Sequence, residues 1–95
     1  MQIKPLFKTG KILVTNGARE LGVDLRRYLK QHVLGEWGKV DPRLEQSNDL
    51  AVELGEGPIA SSYQTPSGRL VVITKPDHKA TFLLVPSEIP ANWGE

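Results

Sequence analysis

Apolar residues recur with two different periods in the two halves of this chain. Between residues 25 and 33 they are spaced three and four apart, which is the spacing of one face of an amphipathic helix. From residue 59 onward apolar and polar residues alternate or form short β-branched runs separated by turn residues, which is typical of strands. The pattern therefore predicts helices first and a β-meander afterwards.

Each of the two main predicted helices has a clear first residue. Asp24 opens the first, because its carboxylate can accept hydrogen bonds from free backbone N–H groups, and Gly35 ends it. Asp41-Pro42 opens the second, with aspartate as the cap and proline at the first helical position, and Leu54 is its last residue. We assign the apolar face of this second helix to Leu44, Ala51 and Leu54.

Four strands are predicted, at residues 11–15, 59–64, 69–75 and 81–85, with a hairpin turn at Pro66. The second strand is polar enough for a sheet edge, and the third is apolar on both faces, as in a central strand. We predict an α+β fold of order β-α-α-β-β-β. Its sheet is expected to be antiparallel, with a C-terminal three-stranded meander and two main helices packed on one face. The pattern leaves open which strand pairs with residues 11–15.

The chain, at 95 residues, is predicted to form one domain. We expect a loose lead-in at residues 1–10, the α+β domain at 11–89 and a tail at 90–95. The longest apolar runs are far shorter than the ~20 residues of a membrane span, and the first residues lack the apolar block of a signal peptide. We therefore expect a cytoplasmic protein that does not enter the membrane.

Charge is distributed unevenly along the chain. Residues 1–39 have eight Lys/Arg and three Asp/Glu, whereas residues 40–68 have one Arg and five Asp/Glu. The overall net charge is only +1. A nucleic-acid binder neutralises many phosphates and is usually more basic, so such a function is disfavoured.

No catalytic or cofactor-binding motif is present. There is no cysteine, and the two histidines, His32 and His78, are far apart in the sequence. His32 lies on the apolar face of its helix, where a core position with one hydrogen bond is expected, and His78 lies in a turn. Phosphate-binding loops and nucleophile elbows are absent from the sequence. We predict no metal and no cofactor, and a non-enzymatic function is favoured.

Two features exceed what a simple core requires. Trp37 lies between Gly35 and Gly38, where the ring either closes over the core or contacts a partner. Asn48 lies on the apolar side of the second helix, and its amide is expected to bind the backbone of the Trp37 loop.

Three carboxylates form a row on the second helix. They are spaced at i, i+4 and i+8, and like charges at this spacing repel one another. Either cations of the first helix (Arg26, Arg27, Lys30) pair with them, or they face a basic partner. We call this row the acidic stripe, and together with Trp37 it is the predicted binding site: Trp37, Glu45, Asp49 and Glu53.

Five segments of the chain form a recognisable pattern: KILVTNGARE, HVLGEWGKVD, QSND, SSYQTPSGRLVVIT and TFLLVPSEI. On these segments, residues 11–89 resemble a family of small uncharacterised bacterial proteins that are common on plasmids and other mobile elements. Such proteins are often labelled plasmid-related protein or type I restriction endonuclease subunit M. The second label does not fit, because this chain lacks the Asn/Asp-Pro-Pro-aromatic motif and the glycine-rich loop of an adenine methyltransferase. The resemblance implies a setting among mobile elements.

Three functions follow as hypotheses. The favoured one is an accessory module of a plasmid or mobile element that acts by binding a protein partner. The second is a ribonuclease toxin, because the order of elements is similar to that of the RelE/ParE type; the residues available for it are Tyr63, Arg69, Lys75, His78 and Lys79. The third is a small nucleic-acid-binding regulator that uses the basic first helix and N-terminal lysines.

Overall fold

The computed structural model of the protein describes residues 4–93. Within them lie β1 (Lys11–Val14), α1 (Asn16–Glu20), α2 (Leu25–Val33), α3 (Pro42–Leu54), β2 (Ile59–Thr65), β3 (Gly68–Thr74) and β4 (Ala80–Leu84), followed by a 3₁₀ turn at Pro86–Glu88. The α+β class and the predicted order of elements are confirmed, and the short α1 precedes the two main helices.

The four strands form one sheet in the order β1-β4-β3-β2. β2, β3 and β4 are the predicted antiparallel meander, and β3 is central. β1 pairs with β4 in parallel, so the sheet is mixed where an antiparallel one was expected. The physical reason is the connection between β1 and β2. The helices in it carry the chain back across the sheet, so β1 and β2 run in the same direction. β4 runs in that direction too, because β2 and β4 are both antiparallel to β3.

Local signals placed the helix ends correctly. The carboxylate of Asp24 accepts from the N–H of Arg26 at 3.2 Å, and that of Asp41 accepts from Leu44 at 2.9 Å. Gly55 ends α3 in the left-handed conformation, with φ of 73°. A glycine there avoids the strain that a side chain would introduce.

The two main helices occupy different positions around the sheet. α2 packs on the face that carries Tyr63, Leu70 and Val72, through its own residues Leu25, Tyr28 and Leu29. α3 contacts β2, the edge strand, and contributes Ala51 to one apolar cluster and Leu44 to another. α3 therefore runs along the edge of the sheet, whereas both helices were predicted to pack on one face.

The outer edge of β2 is closed by main-chain and side-chain hydrogen bonds. The N–H of Ser62 donates to the carbonyl oxygen of Trp37 at 2.9 Å, and the N–H of Lys39 donates to that of Ser62 at 2.7 Å. Gly38, between them, has φ of 73° and lies so close to Ser62 that an added Cβ would be 2.1 Å from its carbonyl oxygen. An unpaired edge strand invites association with other chains, so this closure protects β2.

The segment before β1 is part of the domain. Phe7 is buried, and the N–H of Leu6 donates to the carbonyl oxygen of Val33 at 2.8 Å. Trp93 packs against a cluster on the opposite face of the sheet. The lead-in expected at residues 1–10 therefore contains an aromatic ring that is part of the core. Residues 1–3 and 94–95 lie outside the described part.

Candidate interaction surface

Trp37 is a core residue. Only 6% of it is exposed, and its ring centre lies 6.2 Å from that of Phe7 and 5.8 Å from that of His32. Its indole N–H donates to Asp49 Oδ1 at 3.1 Å. Of the two interpretations that the sequence left open, the structure supports the lid over the core. The prediction that Trp37 contacts a partner is therefore corrected, because its ring has no free face for a partner.

A conservative replacement tests this position of Trp37. We expect Trp37→Phe to lower the free energy of unfolding by about 1–2 kcal/mol, since it removes the indole N–H and some buried area. Asp49→Asn keeps an acceptor oxygen and should change stability by less than about 0.5 kcal/mol. Urea titrations followed by circular dichroism measure both values. Unchanged stability in Trp37→Phe would contradict the core position.

Asn48 fixes α3 to the sheet. Its Nδ2 donates to the carbonyl oxygen of Ala60 at 2.7 Å, and its Oδ1 accepts from the N–H of the same residue at 3.0 Å. The amide was expected to bind the Trp37 loop; it binds β2 because α3 lies along that strand's free edge. One side chain thus satisfies both main-chain groups of Ala60, as a neighbouring strand would.

The side of α3 opposite Asn48 exposes two leucines. Successive residues of a helix are turned by about 100°, so Leu50 and Leu54 lie about 160° and about 120° away from Asn48 around the helix axis. They are 53% and 62% exposed. The assignment of Leu54 to the inward apolar face is wrong. Because α3 contacts only the edge of the sheet, the buried face of α3 is too narrow to include Leu54. Leu50 was missed, although its i, i+4 spacing from Leu54 was visible.

The acidic stripe runs beside these leucines. Glu45, Asp49 and Glu53 are all exposed. Their repulsion does not help the helix, and Glu53 lies near the C-terminal end of α3, where the helix dipole disfavours negative charge. No basic residue stands in that last turn. We call Leu50, Leu54 and the acidic stripe together the outer face of α3.

A row of buried polar groups crosses the core beneath α2. Thr81 donates its only hydroxyl proton to the carbonyl oxygen of Thr9, at 2.8 Å. Thr74 must therefore donate to Thr81, at 2.8 Å, and accept from His32 Nε2, at 2.9 Å. With its proton on Nε2, neutral His32 accepts at Nδ1 from the hydroxyl of Ser61. The carbonyl oxygen of Thr9 can only accept, and for a neutral His32 this fixes the direction of every hydrogen bond in the row.

This row is structural in character. Burial lowers the pKa of His32 to about 3, so the ring stays neutral at physiological pH. A serine hydroxyl held by a neutral imidazole is also how serine nucleophiles are activated. Here, however, Ser61 is 1% exposed and His32 is 0% exposed, so a substrate does not reach them. The core position predicted for His32 is confirmed, with two hydrogen bonds where one was expected.

Tyr63 and Arg69, two of the residues considered for a ribonuclease, lie on opposite faces of the sheet. Tyr63 is buried, its hydroxyl donates to the carbonyl oxygen of Glu36 at 2.6 Å, and burial raises its pKa to about 12. Arg69 donates to Ser62 at 2.7 Å on the other face of the sheet, because adjacent strand residues point to opposite faces. His78 is held by the carbonyl oxygen of Gly57 at 2.8 Å.

The chain was compared with family models, with curated proteins and with solved structures, and none of them matched. Within residues 4–93 there is no cluster of three or more His, Cys, Asp or Glu residues suited to a metal ion. The helices in the same range are too short or too polar to cross a membrane.

Proposed function

We propose that this protein is a non-enzymatic interaction module that binds a protein partner through the outer face of α3. The observation that carries the proposal is the pair of leucines, Leu50 and Leu54, exposed by 53% and 62% one helical turn apart. The acidic stripe beside them selects a partner whose apolar groove has a basic rim. The resemblance to plasmid and mobile-element proteins supports an accessory role in the bacterial cytoplasm.

The way α3 is held suits it to this task. Asn48 and the Trp37–Asp49 hydrogen bond fix its inner side, so binding does not have to order the backbone of the helix. Strand addition at β2 is blocked, because that edge is already paired with residues 37–39 and Asn48. Insertion of a helix face into a groove is the mode that remains for this side of the molecule.

The size of the leucine contribution follows from their exposed area. Burying a whole leucine side chain is worth about 1.5–3 kcal/mol, so the exposed halves of two leucines supply about 2–3 kcal/mol. This corresponds to a factor of about 30–150 in the dissociation constant. The carboxylates add specificity and salt dependence.

A capture experiment tests the proposal. We expect Leu50→Gln/Leu54→Gln to lose the partner captured by the wild-type protein from a bacterial lysate, with its circular dichroism spectrum unchanged. The control is Ser67→Gln, which changes an exposed residue in the turn between β2 and β3. It should retain the partner. Equal capture by the double variant and the wild type would contradict the proposal.

A further inference from the structure

A second surface of the molecule is complementary to the outer face of α3. It is an open cleft of about 960 Å³ between the segment before β1, α2 and the turn after β3. Its floor is apolar and consists of Phe7, Ile12, Leu29 and Val33. Its rim consists of the cations Lys8, Arg26, Lys30 and Lys79. Among the described residues that line it, none is acidic. We call this surface the basic cleft.

We propose that the outer face of α3 binds the basic cleft of a second copy of this chain. The proposal rests on the function proposed above and names its partner. An apolar floor within a cationic rim fits a helix that presents leucines beside carboxylates. A second copy carries such a helix already, so the complementary surfaces are always present at equal concentration.

The spacing of the charges supports this pairing. Arg26 and Lys30 are four residues apart on α2, and Asp49 and Glu53 are four residues apart on α3. Four residues of a helix rise by about 6 Å, so the Cα atoms of the two cations and those of the two carboxylates have the same spacing. Leu50 and Leu54 have this Cα spacing as well, and in the proposed contact they lie over the apolar floor.

The two surfaces consist of different residues. The outer face of α3 lies outside β2, and the basic cleft extends from Gly10 and Ile12 at the β1 edge to Phe7 and Val33, which pack in the same cluster as Ala51 of α3. One molecule can therefore offer its α3 to one neighbour and its basic cleft to another. Such a contact is heterologous, and it produces either a closed ring or an open row of molecules.

Sedimentation equilibrium tests the assembly. The wild-type protein, 10.5 kDa as a monomer, should associate progressively with concentration. Raising the salt from about 50 to 500 mM should weaken the association by about 10-fold, because exposed charge pairs are screened. Arg26→Glu/Lys30→Glu and Leu50→Gln/Leu54→Gln should each weaken it by more than about 10-fold. A control, Lys39→Glu/Lys75→Glu, makes the same change of charge outside the basic cleft and should associate like the wild type.

Mixing the two deficient variants gives the sharpest result. The cleft variant keeps a native α3 and the α3 variant keeps a native basic cleft, so a 1:1 mixture should form heterodimers and nothing larger. A mixture that stays monomeric, or a wild type that stays monomeric at about 1 mM in low salt, would overturn self-association. In the latter case, capture of another protein through Leu50 and Leu54 would leave the proposed function standing, and loss of both would reject both.

Discussion

Replacing Asn48 with leucine is expected to lower the free energy of unfolding by about 2–6 kcal/mol. The N–H and the carbonyl oxygen of Ala60 both lose their only partner on that side of β2, and Ala60 is 4% exposed. Each buried backbone group left without a hydrogen bond costs about 1–3 kcal/mol. This loss is comparable with the whole stability of a small domain.

A second variant at position 48 separates the hydrogen bonds of Asn48 from its volume, and a variant at position 47 is the control. Asn48→Asp keeps an acceptor for the N–H of Ala60 but places a second oxygen against the carbonyl, so it should also destabilise strongly. Ser47→Ala, on the exposed side of the same helix, should change stability by less than about 0.5 kcal/mol. Chemical denaturation followed by far-ultraviolet circular dichroism measures all three. Asn48→Leu as stable as Ser47→Ala would show that α3 is not held by this amide.

Acid is expected to destabilise the protein through His32. Its pKa of about 3 in the folded state lies below the value of 6.5 for an unperturbed histidine, so the unfolded chain binds the proton more tightly. The contribution of the neutral ring is complete above about pH 6.5 and is lost as the pH falls towards 3. Each pH unit in this window costs about 1.4 kcal/mol, or about 2 kcal/mol between pH 7 and pH 5.

A variant without the titrating group isolates this effect. His32→Gln introduces an amide, which can donate and accept as the imidazole does. This variant should be less stable than the wild type at pH 7 because the packing is altered. Its loss of stability between pH 7 and pH 5 should, however, be smaller than that of the wild type by about 2 kcal/mol. Urea midpoints measured at both pH values give the comparison. Parallel pH profiles would mean that His32 is not buried in neutral form.

The sequence predicted the features that depend on neighbouring residues. Asp24 and Asp41 cap helices because their carboxylates reach N–H groups two or three residues away, and such local geometry needs no knowledge of the fold. The turn at Pro66 and the central position of β3 followed in the same way. These signals are sufficient for the α+β class and the order of its elements.

The features that the sequence did not predict depend on distant contacts. The parallel pairing of β1 with β4 joins residues about 70 positions apart, and no local pattern records it. Asn48 and Trp37 were recognised as unusual, but their partners, Ala60 and Asp49, follow only from the position of α3 along the edge of β2. The exposure of Leu54 has the same origin.

The candidate site changed accordingly. The acidic stripe is exposed and stays a predicted binding surface, whereas Trp37 belongs to the core. Leu50 and Leu54 take its place as the apolar part of the proposed contact. The residues that were unusual in sequence, among them His32 and Asn48, satisfy buried polar groups. The proposed function rests on Leu54, which the predicted apolar face placed inside, and on Leu50, which that face did not include.

Photo-crosslinking from α3 tests the central claim most directly. A benzoylphenylalanine side chain in place of Leu54 should form a crosslink with a specific protein, which is a second copy of the chain if self-association holds. The same side chain in place of Ser67, which is exposed in the turn between β2 and β3, should not. The absence of any specific crosslink from position 54 would contradict the claim that the outer face of α3 is the binding surface.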